Sequence, residues 1–227
     1  MESTLEMLQE LGLYVGMGDI YLAKMLTKGT ASVPPTYAAP YLACEGISCG
    51  LTPQYAEGKQ AASDRMIRKT KILTGMNIKL EYPRVLPEVR CDMLGRTMDA
   101  NGGELIGDGM APDFAVGVCA TRDDGTKMMR WIYDVQFAEG DTQMKTMEDG
   151  TIEYQIPTID GVGSRLAYEH ALEDGKTVRL TEYVYDTAGK ESPMTAEAFF
   201  AAVQAPWAAA QAAAASETGD GGETTNE

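Results

Sequence analysis

Four cysteines, a single histidine and a few paired acids are the residues with which this chain could do chemistry. Cys44, Cys49, Cys91 and Cys119 lack C-x-x-C spacing, so a zinc site would need all four to converge without help from histidine. Reduced packing thiols are the simpler reading. His170 stands among Tyr168, Glu169 and Glu173, and no motif supplies it with a nucleophile or an orienting carboxylate. A surface or strand-edge histidine is expected. Gly175-Lys176-Thr177 has the form of the end of a phosphate-binding loop, but that motif requires glycine where the chain has His170. Asp174-Gly175 then reads as a hairpin turn before a β-rich stretch. Gly12, Gly16 and Gly18 do not make G-x-G-x-x-G. Asp123-Asp124 and Glu148-Asp149 could hold calcium or act as paired glycosidase carboxylates, yet each abuts a glycine at an expected tip, which makes them solvated turn acids. No residue is assigned a catalytic, cofactor or metal role, and no cofactor is expected.

The remaining pattern is electrostatic. Nineteen Lys and Arg against 34 Asp and Glu give the 227-residue chain a formal charge of −15, which repels phosphate polymers and anionic membranes. Arg65, Arg68, Lys69 and Lys71 are the local exception, four bases within seven residues with Met66 and Ile67 between them. In so acidic a chain this cluster is expected to meet an acidic surface on a second copy rather than nucleic acid. Arg65, Met66, Ile67, Arg68, Lys69 and Lys71 are therefore the candidate subunit-interface residues.

A composition of 44% hydrophobic and 23% charged residues fits one globular domain with appendages. Short period-2 runs fill its middle. Trp131, Tyr133, Val135 and Phe137 alternate with Arg130, Asp134 and Gln136; Ile152, Tyr154 and Ile156 form a second run; Phe114, Val116 and Val118 a third; Met76, Ile78, Leu80 and Tyr82 a fourth; Val178, Leu180 and Val184 a fifth. Tyr21 to Met25 and Tyr41 to Cys49 are weaker strand candidates. Asn101-Gly102 and Asp-Gly pairs at 108, 124, 149, 160 and 174 supply hairpin turns. An antiparallel sandwich or barrel follows.

One short helix is expected at 86–95, with Pro87 in its first turn, Gly95 just past its end, and Leu86, Val89, Met93 and Leu94 on an apolar side that closes one end of the core. Ser3-x-x-Glu6 has the form of a capping box, and the acidic start lacks the features of a secretory signal. Between Thr195 and Ala215 alanine dominates, interrupted by Gln204, Pro206 and Gln211, which does not make a membrane span. Ser216 to Glu227, with four acids and no base, is expected to be disordered.

From Leu86 to Ile159 the order of segments adds a further reading. Leu86-Pro87-Glu88-Val89-Arg90-Cys91-Asp92-Met93-Leu94-Gly95-Arg96, Ala111-Pro112-Asp113-Phe114-Ala115-Val116-Gly117, Arg130-Trp131-Ile132-Tyr133-Asp134-Val135-Gln136-Phe137, Lys145-Thr146-Met147-Glu148-Asp149 and Tyr154-Gln155-Ile156-Pro157-Thr158 resemble, in that order, the major tail tube proteins of long-tailed, non-contractile (siphovirus-type) bacteriophages. The resemblance implies a mainly β fold, an antiparallel β-sandwich or barrel of the tail tube type with one short α-helix, to which this chain adds an Ala-rich C-terminal extension that has no counterpart in the family. The expected division is an N-terminal segment with a first strand (1–40), a tail-tube domain (41–190) in which the resemblance implies an inter-ring loop at 50–71, and the Ala-rich and acidic extension (191–227). It implies a structural virion protein without enzymatic activity. Stacked homohexameric rings would form a tube that conducts the DNA genome during ejection, and the DNA would pass through the lumen without specific binding. The implied partners are further copies of the chain and other tail proteins such as the tape measure, tail terminator and distal tail protein, with no membrane. The implied location is the virion tail, assembled in the bacterial host cytoplasm. An adhesion or decoration module on a virion or cell surface is the alternative.

Overall fold

Aromatic and β-branched residues at alternate positions favour a pleated sheet, and here antiparallel pairing connects them throughout. The computed structural model describes residues 12–62, 65–140 and 156–207, except the side chains of 60–67. The strands in chain order are β1 (Tyr14–Met17), β2 (Ile20–Thr27), β3 (Thr36–Tyr37), β4 (Tyr41–Cys44), β5 (Ser48–Ala62) and β6 (Arg65–Glu81). Helix α1 (Pro87–Leu94) follows, then β7 (Thr97–Met98), β8 (Glu104–Leu105), β9 (Asp113–Arg122), β10 (Lys127–Glu139) and β11 (Thr158–Ser164). The described chain closes with β12 (His170–Ala171), β13 (Thr177–Val178), β14 (Glu182–Asp186) and helix α2 (Ala196–Phe200).

Ten strands make one sheet in the order β3-β2-β9-β10-β11-β6-β5, with β1 also on β9, β4 on β2 and β14 on β10. β7–β8 and β12–β13 are separate small hairpins. The expectation of a mainly β, antiparallel chain with a short helix at 86–95 holds. A second helix, α2, lies in the Ala-rich stretch, where the Thr195 hydroxyl caps it by accepting from the Ala198 N–H at 3.2 Å.

The two longest central strands each change partner along their length. β9 pairs with β2 at Phe114–Gly117 and with β1 at Ala120–Arg122, while β10 pairs with β14 at Met128–Ile132 and with β11 at Val135–Glu139. A bulge marks the change on β10: Ile132 faces Val116 and Val135 faces Phe114, so three steps on one strand match two on the other. Asp134 absorbs the extra residue at φ 49°, a left-handed conformation that aspartate tolerates better than most side chains. The inserted residue reverses which face the following side chains meet. Trp131 and Tyr133 therefore point to one core, and Val135 and Phe137 to the other, although strict alternation predicts a shared face.

The first core joins Ile20, Leu22, Met76, Ile78, Leu80, Phe114, Val116, Ile132, Val135, Phe137 and Ile159, closed by Met93 and Leu94 of α1. The helix thus plugs this core as expected, with Val89 packed against it; Leu86, expected on the same side, is instead the exposed residue just before the helix. Gly95 ends α1 at φ 66°, and a β-carbon there would lie 2.3 Å from the Met110 carbonyl oxygen. The second core lies on the other face of β9 and β10: Ala115, Cys119, Met129, Trp131 and Tyr133 are covered by Phe199, Phe200 and Trp207. The Trp131 indole N–H donates to the Phe199 carbonyl at 3.3 Å, and the Tyr133 hydroxyl donates to the Gln204 carbonyl at 2.6 Å. The C-terminal aromatic residues are thus structural cover for the sheet. Each large side chain buried there contributes about 1.5–3 kcal/mol.

Several turn expectations hold and others do not. Asn101-Gly102, Asp124-Gly125 and Asp174-Gly175 sit in the turns of β7–β8, β9–β10 and β12–β13, each glycine at positive φ. Asp160-Gly161 lies inside β11 instead: a β-carbon on Gly161 would stand 3.1 Å from the Val135 side chain and 3.2 Å from Phe137, so the glycine is there for close packing. Asp108-Gly109 lies in the loop after β8. The expected run Val178-Leu180-Val184 is split between β13 and β14, which belong to different sheets. The run at Ile152–Tyr154, the turn at Asp149-Gly150, the Ser3–Glu6 capping box and the segment Ser216–Glu227 lie outside the described residues.

Candidate interaction surface

The segment expected to be an inter-ring loop at 50–71 is a long hairpin. β5 pairs with β6 from Ser48↔Glu81 out to Ala62↔Arg65, through two bulges at Gln54/Tyr55 and Gln60/Ala61. β11 flanks β6 only from Gly75 to Glu81. Residues 55–62 and 65–74 therefore leave the sheet as a two-stranded ribbon that projects about 30 Å at roughly 3.3 Å per residue. Ile67, Thr70, Ile72 and Thr74 are β-branched and favour extended backbone on the β6 side of the pair. Both faces of the ribbon are solvated: Tyr55 and Ile72, on opposite faces, are 48% and 51% exposed.

All six predicted interface residues lie on the outer part of β6. Arg65 and Met66 pair in register with Ala62 and Ala61, and Ile67 occupies the bulge between Met66 and Arg68. Arg68 and Lys69 are exposed. Lys71 is not a free cation: its Nζ lies 3.2 Å from Glu57 and 4.5 Å above the centre of the Tyr55 ring. Glu57 also approaches Lys59 at 3.7 Å. Lys59 and Lys69 are directly opposite in the ladder, and so share a face with Glu57 and Lys71. Like charges facing each other across two strands destabilise the ribbon that carries them. The hairpin from Ser48 to Glu81 holds six bases and three acids, an island of positive charge in a chain of −15.

A second surface has the opposite character, and the sequence reading passed over it. From Thr97 to Asp113 the chain has four acids and no base. Thr97 and Leu105–Ala111 of this stretch, with Leu94–Arg96 and Gln136–Glu139, line a groove of 570 Å³ whose charged residues are Arg96, Asp108 and Glu139. Arg90 and Arg96 converge on Glu104, and Arg96 also reaches Glu139, its neighbour in the groove lining, at 2.5 Å. That network ties β8 to α1 and β10 and neutralises Glu104. Asp99 accepts the Asn101 and Gly103 N–H groups at 2.8 and 2.7 Å, which hold its carboxyl below the usual range and fully ionised at neutral pH. Asp108 is exposed. Beside these acids, Leu105, Ile106 and Met110 are 57%, 70% and 85% exposed, a run of apolar side chains turned to solvent. The signal in the sequence is the absence of any base between Arg96 and Arg122 combined with Leu105-Ile106 in a glycine-rich loop.

The other chemical candidates resolve into structure. Cys44, Cys91 and Cys119 are buried and Cys49 partly so, all four as free thiols, and burial pushes Cys44 and Cys49 up to about 11. Such thiols are protonated at neutral pH and poor nucleophiles. His170 stands in the two-residue strand β12 with its ring 6.4 Å from that of Trp207. Asp123 and Asp124 anchor the start of the described chain, accepting the Leu13 N–H at 2.9 Å and the Gly12 N–H at 3.1 Å; Asp124 also caps its own turn through Thr126. Glu148 and Asp149 lie outside the described residues. Among the described residues, no cluster of three or more His, Cys, Asp or Glu could hold a metal ion, and no helix is long and apolar enough to cross a membrane. A scan against protein-family models and a search of curated proteins returned no match.

Proposed function

We propose that this protein is a structural subunit that polymerises through its own surfaces, as a tail tube protein of the siphovirus type does. Stacked hexameric rings would form a conduit for the phage genome, in the virion tail, without enzymatic activity. The projecting ribbon carries this reading. Among the described residues the ribbon has no third strand and no covering layer, and a two-stranded ribbon of that kind is marginal in water on its own, so a strand pair of this length is best explained by a partner that covers it. Its position, in the segment the resemblance assigns to contact between rings, gives the axial contact. The lateral contact has its own candidate in β5, the outermost strand on its side of the sheet, whose outer edge is unpaired among the described residues. Two such surfaces, one lateral and one axial, are what a stacked ring requires.

The solvent face of β11, β6 and β5 suits a wall along which a polyanion slides. It carries Ser164, Asn77, Thr52 and Gln54, with Lys79 directly opposite Asp160, so it offers no row of cations to hold phosphate. Purified protein examined by electron microscopy and light scattering tests the proposal. Rings or tubes are the expected result; a monodisperse monomer at high concentration that also fails to assemble with partner tail proteins would overturn it.

A further inference from the structure

We infer that Asn101, in the turn of the β7–β8 hairpin, is a site of spontaneous deamidation, and that Asp99 slows the reaction by holding the turn closed. The inference stands apart from the self-assembly reading and concerns the chemistry of the subunit itself.

The reaction consumes water and nothing else. The Gly102 backbone nitrogen attacks the Asn101 side-chain carbonyl carbon, the amide nitrogen departs as ammonia with the proton that Gly102 gives up, and a cyclic succinimide forms. Water then adds to either ring carbonyl and opens it to aspartate or isoaspartate. A side chain on the residue after asparagine hinders the attack, and glycine offers none. Of the three asparagines in the chain, Asn101 is the one followed by glycine. Asp124 and Asp174 also precede glycine, but hydrogen bonds to Thr126 and Lys176 hold their carboxyls below the usual range. An ionised carboxylate is a poor electrophile.

The fold makes this turn easy to open. β7 and β8 are joined by two residue pairs, Thr97↔Leu105 and Met98↔Glu104, in a sheet separate from the main one. Such a hairpin opens locally without disturbing either core. Asn101 and Gly102 are exposed, and a β-carbon on Gly102 would meet no atom within 4 Å. What restrains the turn is Asp99. Its carboxylate accepts the Asn101 and Gly103 N–H groups, with the Asn101 side-chain amide as a further donor, and its backbone carbonyl accepts the Gly102 N–H at 3.2 Å. The attacking nitrogen must leave that bond before it can react. Asn77 has the contrary setting: it lies in β6 between Thr52 of β5 and Val162 of β11, its side-chain oxygen accepts from Gln54 at 2.6 Å, and Ile78 follows it. Its backbone is freed only when the main sheet opens. Isoaspartate at 101 carries the main chain through its β-carbon and so lengthens the turn between Met98 and Glu104, the residue that gathers Arg90 and Arg96.

Tryptic peptides separate the two sites cleanly, because Asn101 is the only Asn or Gln in Thr97–Arg122 and Asn77 the only one in Ile72–Lys79. The full-length protein is held in mildly alkaline buffer, native and in parallel unfolded in urea, and both peptides are followed by mass spectrometry over time. In the native sample Thr97–Arg122 is expected to convert progressively to two heavier isomers while Ile72–Lys79 stays unchanged. Asp99→Ala, with folding checked by circular dichroism, is expected to convert several-fold faster than the unaltered protein, and Asp99→Ser, which keeps a side-chain acceptor, to fall between the two. Native protein that keeps Asn101 intact while the urea-unfolded sample converts would overturn the site. Folded Asp99→Ala that converts no faster than the unaltered protein would overturn the restraining role of Asp99.

Discussion

Asp134 shows how much of this fold turns on one residue. It holds the bulge that sends Trp131 and Tyr133 to one core and Val135 and Phe137 to the other. Its carboxylate lies 3.4 Å from Lys28, which also reaches Asp113 at 3.0 Å. Burial, together with the Asp113 charge, raises the Asp134 carboxyl above its ordinary range, against the opposing pull of Lys28. Asn and Gly accept a left-handed backbone and should leave stability within about 0.5 kcal/mol, whereas Asp134→Val should cost about 2 kcal/mol or more, as read by urea denaturation.

A second residue-scale prediction concerns Arg122, a buried guanidinium held by both oxygens of Asp186 at 2.8 and 2.6 Å, by the Thr126 hydroxyl at 3.1 Å and against the Tyr14 ring. This pairing lowers Asp186 to about 2. A carboxylate with a depressed folded pKa stabilises the fold above its unfolded pKa near 4 and loses that contribution as pH falls toward about 2. Asp186→Asn should therefore lower stability at pH 7 by roughly 2 kcal/mol, less than for a fully buried pair because Asp186 is partly solvated, and should flatten the acid limb between about pH 4 and 2.

Among the elements, the segment after β14 has the most direct structural role. Phe199 and Phe200 are buried on the sheet, and Phe200 stacks on Tyr21 at 4.5 Å between ring centres. Gly117 makes room for them, since a β-carbon at that position would lie 2.9 Å from the Phe200 ring and 3.0 Å from Trp131. Gly117→Val should cost about 1–3 kcal/mol by overpacking, and Phe199→Ala about 3–5 kcal/mol by leaving a cavity, both visible as reduced melting temperature.

The central strands and the plug helix were legible in the sequence because their signals are local: alternation at Phe114, Val116 and Val118, and Pro87 and Gly95 bracketing a helix. The misreadings were of non-local facts. Alternation cannot reveal a bulge, so the residues from Trp131 to Phe137 looked like one face. Asp160-Gly161 has turn chemistry, but the space under Val135 and Phe137 selects glycine for its size. The resemblance placed a loop at 50–71, and no local pattern argued for strands there, because a ribbon with two solvated faces lacks the apolar alternation that marks a half-buried strand. The groove escaped notice because its residues come from three separate stretches that only the fold assembles.

At the scale of the whole molecule, the features of greatest functional interest lie on the outside. Among the described residues, the ribbon (55–62 and 65–74) holds five bases and one acid while the rest holds 13 bases and 21 acids, so the arm and the body it leaves are opposite in charge. Association should accordingly weaken with added salt, about as expected for exposed charges screened over roughly 8–10 Å. Light scattering across a sodium chloride series checks this, and insensitivity to salt would assign the contact to its apolar residues. Removing residues 216–227 should leave the melting temperature unchanged, whereas removing residues from Ala196 onward should unfold the chain, because it strips the cover from Trp131 and Tyr133.

The ladder that joins Ser48 to Glu81 in the body is continuous, through its two bulges, with the one that ends at Ala62 and Arg65. An outward pull on the far end is therefore not taken up by a hinge. It travels along both strands into Met76, Ile78 and Leu80, where β6 would have to slide lengthwise past β11 with many hydrogen bonds breaking together. A chain of copies linked through such arms would behave mechanically as a stiff rod under tension, each joint anchored in the interior of the subunit that extends it.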